Sequence, residues 1–136
     1  MYLELYLPIT PQPKLRPRMG PHGAYTPSKT KKAEQDLRTL ISKELPHDFV
    51  MSTDEALELK VVFQIPSPKG CKRTFPSVRP DLDNYLKLLM DAMNGLVWKD
   101  DAQVCYVSAF KTYIRYVVNP DRPCEGAMDI VISSMS

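Results

Sequence analysis

The sequence contains few of the residues on which disulfide-stabilised and zinc-binding proteins depend. Its 136 residues include three cysteines (Cys71, Cys105 and Cys124) and two histidines (His22 and His47). The cysteines are odd in number, far apart and without a Cys-x-x-Cys pair, which argues against a disulfide framework and favours reduced, packed thiols. The histidines are distant from the main acidic cluster, so a zinc centre is not expected.

Long hydrophobic runs are absent as well. No apolar stretch approaches the roughly 20 residues that a membrane span needs. The first ten residues, MYLELYLPIT, have neither a basic start nor a long apolar segment, so no signal peptide is expected. The apolar fraction of 43% and the charged fraction of 25% are those of an ordinary globular protein of one domain. We therefore expect a cytoplasmic protein with no membrane partner.

Apolar periodicity, interrupted by 13 prolines, predicts the secondary structure. Strict alternation predicts strands in YLELYLP near the N-terminus and in LELKVVFQI at 57–65. Helical spacing predicts helices over about 28–45 and 83–94, the second burying Leu86 and Met90 among other residues. VCYVSAFKTYIRY and AMDIVIS predict two more strands. This order predicts an α/β (α+β) fold in which two main helices cover a small mixed sheet of about four strands.

Charge is distributed unevenly, although the net charge is only +2. Residues 1–32 carry six basic residues and one Glu, and residues 67–79 carry four basic residues and no acid. Both segments include long Pro-rich loops, at 10–27 and 66–80, and loops of this length are usually functional or disordered. Residues 80–103 carry five aspartates and two lysines. Basic segments around an acidic centre suit a polyanion bound over a metal ion, but solvated loops explain the charges equally well.

Four of the aspartates lie at the two ends of the second helix, in RPDLDNYLKLLMDAMNGLVWKDDAQV. Asp81 and Asp83 precede the apolar pattern, and Asp100 and Asp101 follow it. Asp83 is a suitable N-cap for a helix that begins at the next residue, and Asp81 would favour the positive end of the helix dipole. In this interpretation the four carboxylates only mark helix and turn boundaries.

The same aspartates are also compatible with a metal site. Pro80 favours extended backbone, and if this continues through Asp83, the side chains of Asp81 and Asp83 point to the same side. The helix is about 16 Å long and the following six residues reach about 20 Å if extended, so the chain can return Asp101 to the helix start. Three carboxylates brought together need a cation, and Mg²⁺ prefers oxygen ligands.

Lys87 lies one turn after Asp83 on the same helix face. It either forms a salt bridge with Asp83 or Asp91, or lies beside the metal and contacts the phosphate that is cut. Asp91 itself is interpreted as a surface or structural residue. Four aromatic residues are interpreted as packing rather than base-stacking groups: Tyr85, Trp98, Tyr106 and Tyr113.

This pattern resembles the signature of the RusA-type Holliday junction resolvases, small nucleases that are frequent in phages and prophages. The family pattern is Asp-x-Asp-Asn, a lysine one turn into the following helix, and Asp-Asp-x-Gln before a strand. The matching residues are Asp81, Asp83, Asn84, Lys87, Asp100, Asp101 and Gln103. The match covers 26 residues, KLRPRMGPHGAYTPSKTKKAEQDL adds a looser likeness to the N-terminal arm of some members, and nothing after residue 110 matches.

The resemblance implies a single RusA-like nuclease domain over residues 1–136 that acts in DNA recombination and repair. It implies that Asp81, Asp83 and Asp101 ligate a catalytic Mg²⁺, for which Mn²⁺ can substitute, and that Lys87 is essential beside them. The role of Asp100 is left open. It also implies a homodimer that cuts two symmetric strands of a branched, four-way DNA junction.

The basic segments are expected to grip DNA phosphates and to read little sequence. The predicted DNA contacts are Lys14, Arg16, Arg18, Lys29, Lys31, Lys32, Lys69, Lys72 and Arg73. Two alternatives stay open: a nuclease of the same fold that prefers flaps or forks, and a non-catalytic DNA-binding protein whose aspartates only cap helices. An RNA target has less support, since the sequence has no aromatic-rich strand motif for it.

Overall fold

Regular elements form where the spacing of apolar residues allows one face to be buried. The computed structural model describes residues 1–114 and 126–136. In chain order its elements are β1 (Tyr2–Leu7), β2 (Arg18–Gly20), β3 (Gly23–Tyr25), α1 (Ser28–Glu44), β4 (Leu57–Ile65), α2 (Leu82–Met93), a 3-10 turn (Asp101–Gln103), β5 (Val104–Tyr113) and β6 (Ala127–Ser134). The predicted strand at VCYVSAFKTYIRY ends at Tyr113, and its last two predicted positions, 115 and 116, lie outside the described residues.

The described strands form a four-stranded sheet in the order β1-β6-β4-β5 and a separate two-stranded hairpin, β2-β3. Strand β4 pairs in parallel with β5, while β6 pairs antiparallel with both β1 and β4. The sheet is therefore mixed, and with the two helices it confirms the predicted α/β (α+β) class. Among the described strands, β5 is an outer strand of the sheet and pairs only with β4.

Alternating strand residues and the apolar faces of the two helices make up the core. Leu3, Leu5 and Leu7 of β1 are buried, as the alternation predicts. On α2 the buried residues are Tyr85, Leu88, Leu89, Ala92 and Met93. Leu86 and Met90 are only half-buried but pack against the core, so the prediction that they are buried is confirmed in part. The buried stripe of α2 is rotated away from Leu86 and Met90 and towards Tyr85 and Leu88.

The four aromatic residues differ in exposure. Trp98, Tyr85 and Tyr113 are buried at 0%, 4% and 6% exposure, which confirms that they are packing residues. Tyr106 is 49% exposed in a single copy of the chain, so its interpretation as a packing residue is wrong. It lies on the outer strand β5, where no further strand of the described chain covers it.

The Pro-rich arm between β1 and α1 crosses the ends of both helices. The Leu15 N–H donates to the buried Thr30 hydroxyl at 3.1 Å, and the Lys14 N–H donates to the Asn84 carbonyl at 3.0 Å. The arm also contains the short β2-β3 hairpin, which apolar periodicity did not predict. No helix within the described ranges is long and apolar enough to cross a membrane.

Candidate active site

The start of α2 places two carboxylates at the protein surface. Asp81 is the N-cap position, with extended backbone, and the helix begins at Leu82. The prediction that Asp83 is the N-cap is therefore wrong, and the segment 80–83 is not extended throughout. Neither side chain makes a capping hydrogen bond, and neither has a hydrogen-bond or ion-pair partner among the described residues. Helix capping alone therefore does not explain these two residues.

The 3-10 turn that follows α2 explains Asp100, whose role the sequence left open. Its carboxylate accepts a hydrogen bond from the Ala102 N–H at 3.0 Å, and the Gln103 side chain accepts from the Asp100 N–H at 3.2 Å. The two side chains form a capping box at the start of the turn. The Ala102 N–H, followed by the Asp101 side chain, holds the pKa of Asp100 below its usual value. Asp100 thus fixes the turn that presents Asp101.

The connector before β4, residues 46–56, forms hydrogen bonds with this turn. Gln103 Nε2 donates to the Ser52 hydroxyl and to the Glu55 carbonyl, both at 3.1 Å. Ser52 is buried, and its carbonyl accepts from the Lys99 N–H at 2.9 Å. Sequence reasoning missed Ser52 because residues 46–56 showed only an acidic connector, whereas Gln103 was already part of the motif.

The C-terminal end of α2 turns the chain back towards the start of the helix. Gly95 has a positive φ of 77°, the conformation expected of a residue just after a helix end. Its N–H donates to the Trp98 carbonyl at 2.7 Å, and the Trp98 indole N–H donates to Asn94 Oδ1 at 2.7 Å. Arg38 of α1 donates to the Ala92 and Asn94 carbonyls at 3.1 and 2.6 Å. These bonds fix the path that leads to Asp101.

Asp101 lies beside the exposed face of α2. Together with residues of α2 it lines one depression of about 210 Å³. The lining residues are Asp83, Leu86, Lys87, Met90, Asp91 and Asp101. Three of the four predicted catalytic residues therefore share one concave surface. The fourth, Asp81, lies at the adjacent helix start and outside the lining.

Lys87 has no ion pair among the residues that the structure describes, so its interpretation as a helix salt bridge has no support. Asp91, one of its two expected partners, is paired instead with Lys14 of the N-terminal arm. Lys87 is exposed and lies in the same depression as Asp83 and Asp101. Its ammonium group is thus free to meet a negatively charged ligand there. The Lys14–Asp91 ion pair holds the N-terminal arm to α2. Lys14 was predicted as a DNA contact, but its charge is already paired with Asp91 in this structure.

The donor groups of the depression suit Mg²⁺ better than zinc. Within residues 1–114 and 126–136, no group of three His, Cys, Asp or Glu side chains is close enough to hold a metal ion. Asp83 and Asp101 offer carboxylate oxygens only. Mg²⁺ commonly binds through one or two carboxylates and completes its shell with water and substrate phosphates. The two carboxylates fit such an ion, and Asp81 is a further donor two residues before Asp83.

The remaining predicted DNA contacts lie on exposed segments. They are Arg16 and Arg18 on the arm, Lys29, Lys31 and Lys32 in the first turns of α1, and Lys69, Lys72 and Arg73 on the loop at 66–80. Lys32 forms a surface ion pair with Asp36 at 2.9 Å. Contact between these residues and DNA stays a prediction.

Lys111 of β5 holds the loop that leads into the site, and sequence reasoning missed it. Its ammonium group donates to the carbonyls of Val78 and Pro80 at 2.8 and 2.9 Å, and Pro80 directly precedes Asp81. The Phe75 ring of the loop also packs edge-on against Phe110 of β5, with centroids 5.9 Å apart. Both contacts depend on the fold, and no local sequence signal marks them.

Comparison with known proteins shows the family to which this chain belongs. The sequence profile of the family described as endodeoxyribonuclease RusA matches residues 8–118, which is most of the chain. This chain belongs to the RusA endodeoxyribonuclease family. It is also 30% identical over 99 residues to "Uncharacterized protein YqaN" of Bacillus subtilis (strain 168), an alignment that covers 64% of this chain and 68% of that protein.

Membership of the RusA family confirms the resemblance seen in the sequence. It supports a nuclease that acts on branched DNA. The matched range includes both basic segments and every residue that lines the depression. The YqaN relative is itself uncharacterised and adds no information about function.

Proposed function

We propose that this RusA-family protein is a Mg²⁺-dependent endonuclease that resolves four-way DNA junctions by paired phosphodiester hydrolysis. One observation carries the proposal: Asp83, Lys87 and Asp101, three of the family's motif residues, line a single depression. These residues are separated by up to 18 positions in the sequence, and they meet because the chain folds back along α2. Neighbouring residues that act only as caps or surface charges do not require this convergence.

Each residue of the depression has a defined task in this proposal. Asp83 and Asp101, with Asp81 beside them, would hold the ion. When bound, Mg²⁺ polarises a phosphoryl oxygen and lowers the pKa of a bound water. Lys87 donates to a non-bridging oxygen of the same phosphate and stabilises the negative charge that grows there. No side chain needs to form a covalent intermediate.

Two apolar side chains form part of the wall of the depression. Leu86 and Met90 are half-buried and lie on the same face of α2 as Lys87. Apolar walls lower the local dielectric, which strengthens the attraction between Lys87 and phosphate. Their partial exposure, where sequence periodicity had predicted burial, is thereby connected with the site.

The exposed basic segments bind the DNA backbone on either side of the depression. Arg16 lies on the arm, and Lys72 and Arg73 lie on the loop that leads directly into Asp81. Such contacts neutralise phosphates and release counterions, so they position the substrate without selecting its sequence. Replacing Arg16 with alanine is expected to reduce the salt dependence of binding by about one unit of slope.

Two copies of the chain are needed for paired cleavage, so the proposal includes a homodimer. A two-fold dimer matches the two-fold symmetry of a four-way junction and places one depression at each strand. The outer strand β5 supports this assembly, since Tyr106, Val107 and Phe110 on it are 49%, 38% and 47% exposed. An unpaired strand edge with apolar side chains is a suitable surface for a second copy.

The test is cleavage of a synthetic four-way junction in Mg²⁺, in EDTA, and by the Asp83→Asn variant in Mg²⁺. We expect symmetric paired nicks only with the unaltered protein in Mg²⁺. Flap and fork substrates in parallel separate a junction resolvase from a nuclease with another preference. Cleavage that continues in EDTA or in the variant would refute the proposed centre. A protein that binds DNA but never cuts it would favour the non-catalytic alternative.

A further inference from the structure

A second depression lies at the carboxyl ends of β4 and β5, and the proposed reaction does not use it. Its volume is about 400 Å³, and its lining residues are Ser67, Arg73, Thr74, Tyr113 and Ile114. It shares no lining residue with the depression that contains Asp83 and Asp101. None of its lining residues within the described part of the chain is acidic, and Arg73 gives it a positive charge. Electrostatically it is suited to an anion.

Tyr113 is the unusual member of this lining. The residue is only 6% exposed, and within the described part of the chain its buried hydroxyl group has no hydrogen-bond partner. Leaving a buried hydroxyl unpaired costs about 1–3 kcal/mol, which is why nearly all such groups in folded proteins are satisfied. A phenylalanine at this position would fill the same space without that cost, so the hydroxyl group points to a ligand that it contacts in the working state.

Two groups lie near the Tyr113 hydroxyl: the Arg73 guanidinium, which can only donate, and the Cys71 thiol, which is a weak acceptor. Arg73 lies beside the hydroxyl without hydrogen-bond geometry and donates a long contact of 3.7 Å to Cys71 Sγ. The neighbouring Tyr113 hydroxyl, followed by Arg73, lowers the pKa of the Cys71 thiol, although the hydroxyl–thiol contact lacks hydrogen-bond geometry. Arg73 is exposed and Cys71 is half-buried on the loop at 66–80, so the Arg73 side chain can shift as a ligand enters. The Arg73 guanidinium and the Tyr113 hydroxyl both face the depression, and neither has a strong acceptor there. A phosphate group would supply acceptor oxygens to both.

We propose that Tyr113 and Arg73 form a subsite for a single non-scissile phosphate of the DNA backbone. Arg73 supplies the charge and Tyr113 supplies a neutral donor at a fixed position on the rigid strand β5. The subsite rests on the proposed function only in taking DNA as the ligand. It sets the register of one strand as that strand approaches the separate depression where it is cut.

The test measures binding of a four-way junction in an Asp83→Asn background, which prevents cleavage. Tyr113→Phe is expected to weaken binding about 10- to 100-fold, the effect of losing one hydrogen bond to a charged group. Because the phenol is neutral, the salt dependence of binding stays unchanged. Arg73→Gln also weakens binding and reduces the salt slope by about one. The double variant loses less than the product of the two effects, since both residues contact one phosphate.

Two measurements separate binding from folding. Thermal unfolding of Tyr113→Phe is expected at the same or a higher temperature, since the substitution removes an unsatisfied buried group. Tyr6→Phe on the opposite outer strand β1, where Tyr6 is 55% exposed, is the matched control and should bind DNA normally. Normal junction binding by Tyr113→Phe would overturn the subsite, as would a binding loss that Tyr6→Phe reproduces.

Two further arms identify the source of the phosphate. In the first, thermal unfolding is measured with and without inorganic phosphate. If phosphate stabilises the unaltered protein but not Tyr113→Phe, and Tyr113→Phe still binds DNA normally, the depression binds a free anion and the DNA subsite is wrong. If the unaltered protein fails to cut junctions, the proposed function fails by itself. In that case, weakened binding of plain duplex DNA by Tyr113→Phe would still support the subsite.

Discussion

Asp100 and Asp101 are neighbours in the chain, but their side chains serve different partners. The Asp100 carboxylate accepts from the N–H of Ala102 inside its own turn and lies beside the Asp101 side chain, whereas only Asp101 of the two lines the depression on α2. The family motif marks both residues equally. Only the fold separates the residue that builds the turn from the residue that the turn presents.

Lys87 is the residue whose role can be isolated most cleanly at this scale, since no described side chain pairs with it. Lys87→Met keeps the length of the side chain and removes the charge. We expect cleavage to fall about 100- to 1,000-fold, the usual effect of losing one group that stabilises developing charge, while junction binding changes little. Single-turnover cleavage and equilibrium binding measure the two effects. Lys99→Met, at an exposed position just before the turn, is the control. Equal loss of cleavage in both variants would remove Lys87 from the reaction.

Residue types and spacing were sufficient to predict that Asp83, Lys87 and Asp101 lie together at the surface. They were not sufficient for Ser52 or Lys111. Ser52 braces the turn from the connector before β4, and Lys111 holds the loop from the middle of β5. Both act through contacts between segments that are distant in sequence, and neither residue type is unusual at its position.

At the scale of elements, the site depends on the reversal of the chain after α2. Gly95 adopts a positive φ there, and a Cβ at this position would meet no atom closer than 4.0 Å. Any penalty for a side chain therefore comes from the backbone conformation and not from crowding.

Gly95→Ala is expected to destabilise the protein by about 1–2 kcal/mol, the cost of the left-handed conformation for a residue with a Cβ. Gly95→Asn is the matched control, because asparagine tolerates this conformation better than alanine. Denaturant unfolding of the three proteins measures the difference. Equal stability of the alanine variant and the unaltered protein would show that the turn does not require glycine.

Alternation of apolar residues predicted β1, β4 and β6 closely because each buries one clean face. The start and the buried face of α2 were less predictable. Leu86 and Met90 pack against the core and also line the depression, and periodicity cannot distinguish the two uses. The β2-β3 hairpin was missed because prolines and exposed residues hide its short strands.

At the scale of the whole molecule, the family profile confirms both the resemblance and the nuclease class that it implies. The metal, the dimer and the choice of branched substrate are proposals about how this molecule works. The dimer is proposed because paired cleavage needs two sites. One chain offers only one depression of the proposed composition within its described residues.

Val107→Asp tests the β5 surface. Val107 is 38% exposed on the outer strand, so a charge there is tolerated by the monomer but is unfavourable in an apolar interface. We expect a monomer by light scattering, with normal thermal stability and without paired nicking. Val50→Asp, at a position that is 81% exposed in the connector, is the control. A Val107→Asp protein that remains dimeric would place the interface elsewhere.

The most direct test of the central claim compares two adjacent and chemically identical substitutions. Asp100→Asn keeps a side chain that caps a helical turn as well as aspartate does, whereas Asp101→Asn removes a charge from the proposed metal site. Cleavage of a four-way junction in Mg²⁺ by the two variants is measured side by side with the unaltered protein. The account predicts that Asp100→Asn cuts at close to the normal rate and that Asp101→Asn binds the junction without cutting it. Normal cutting by Asp101→Asn would contradict it.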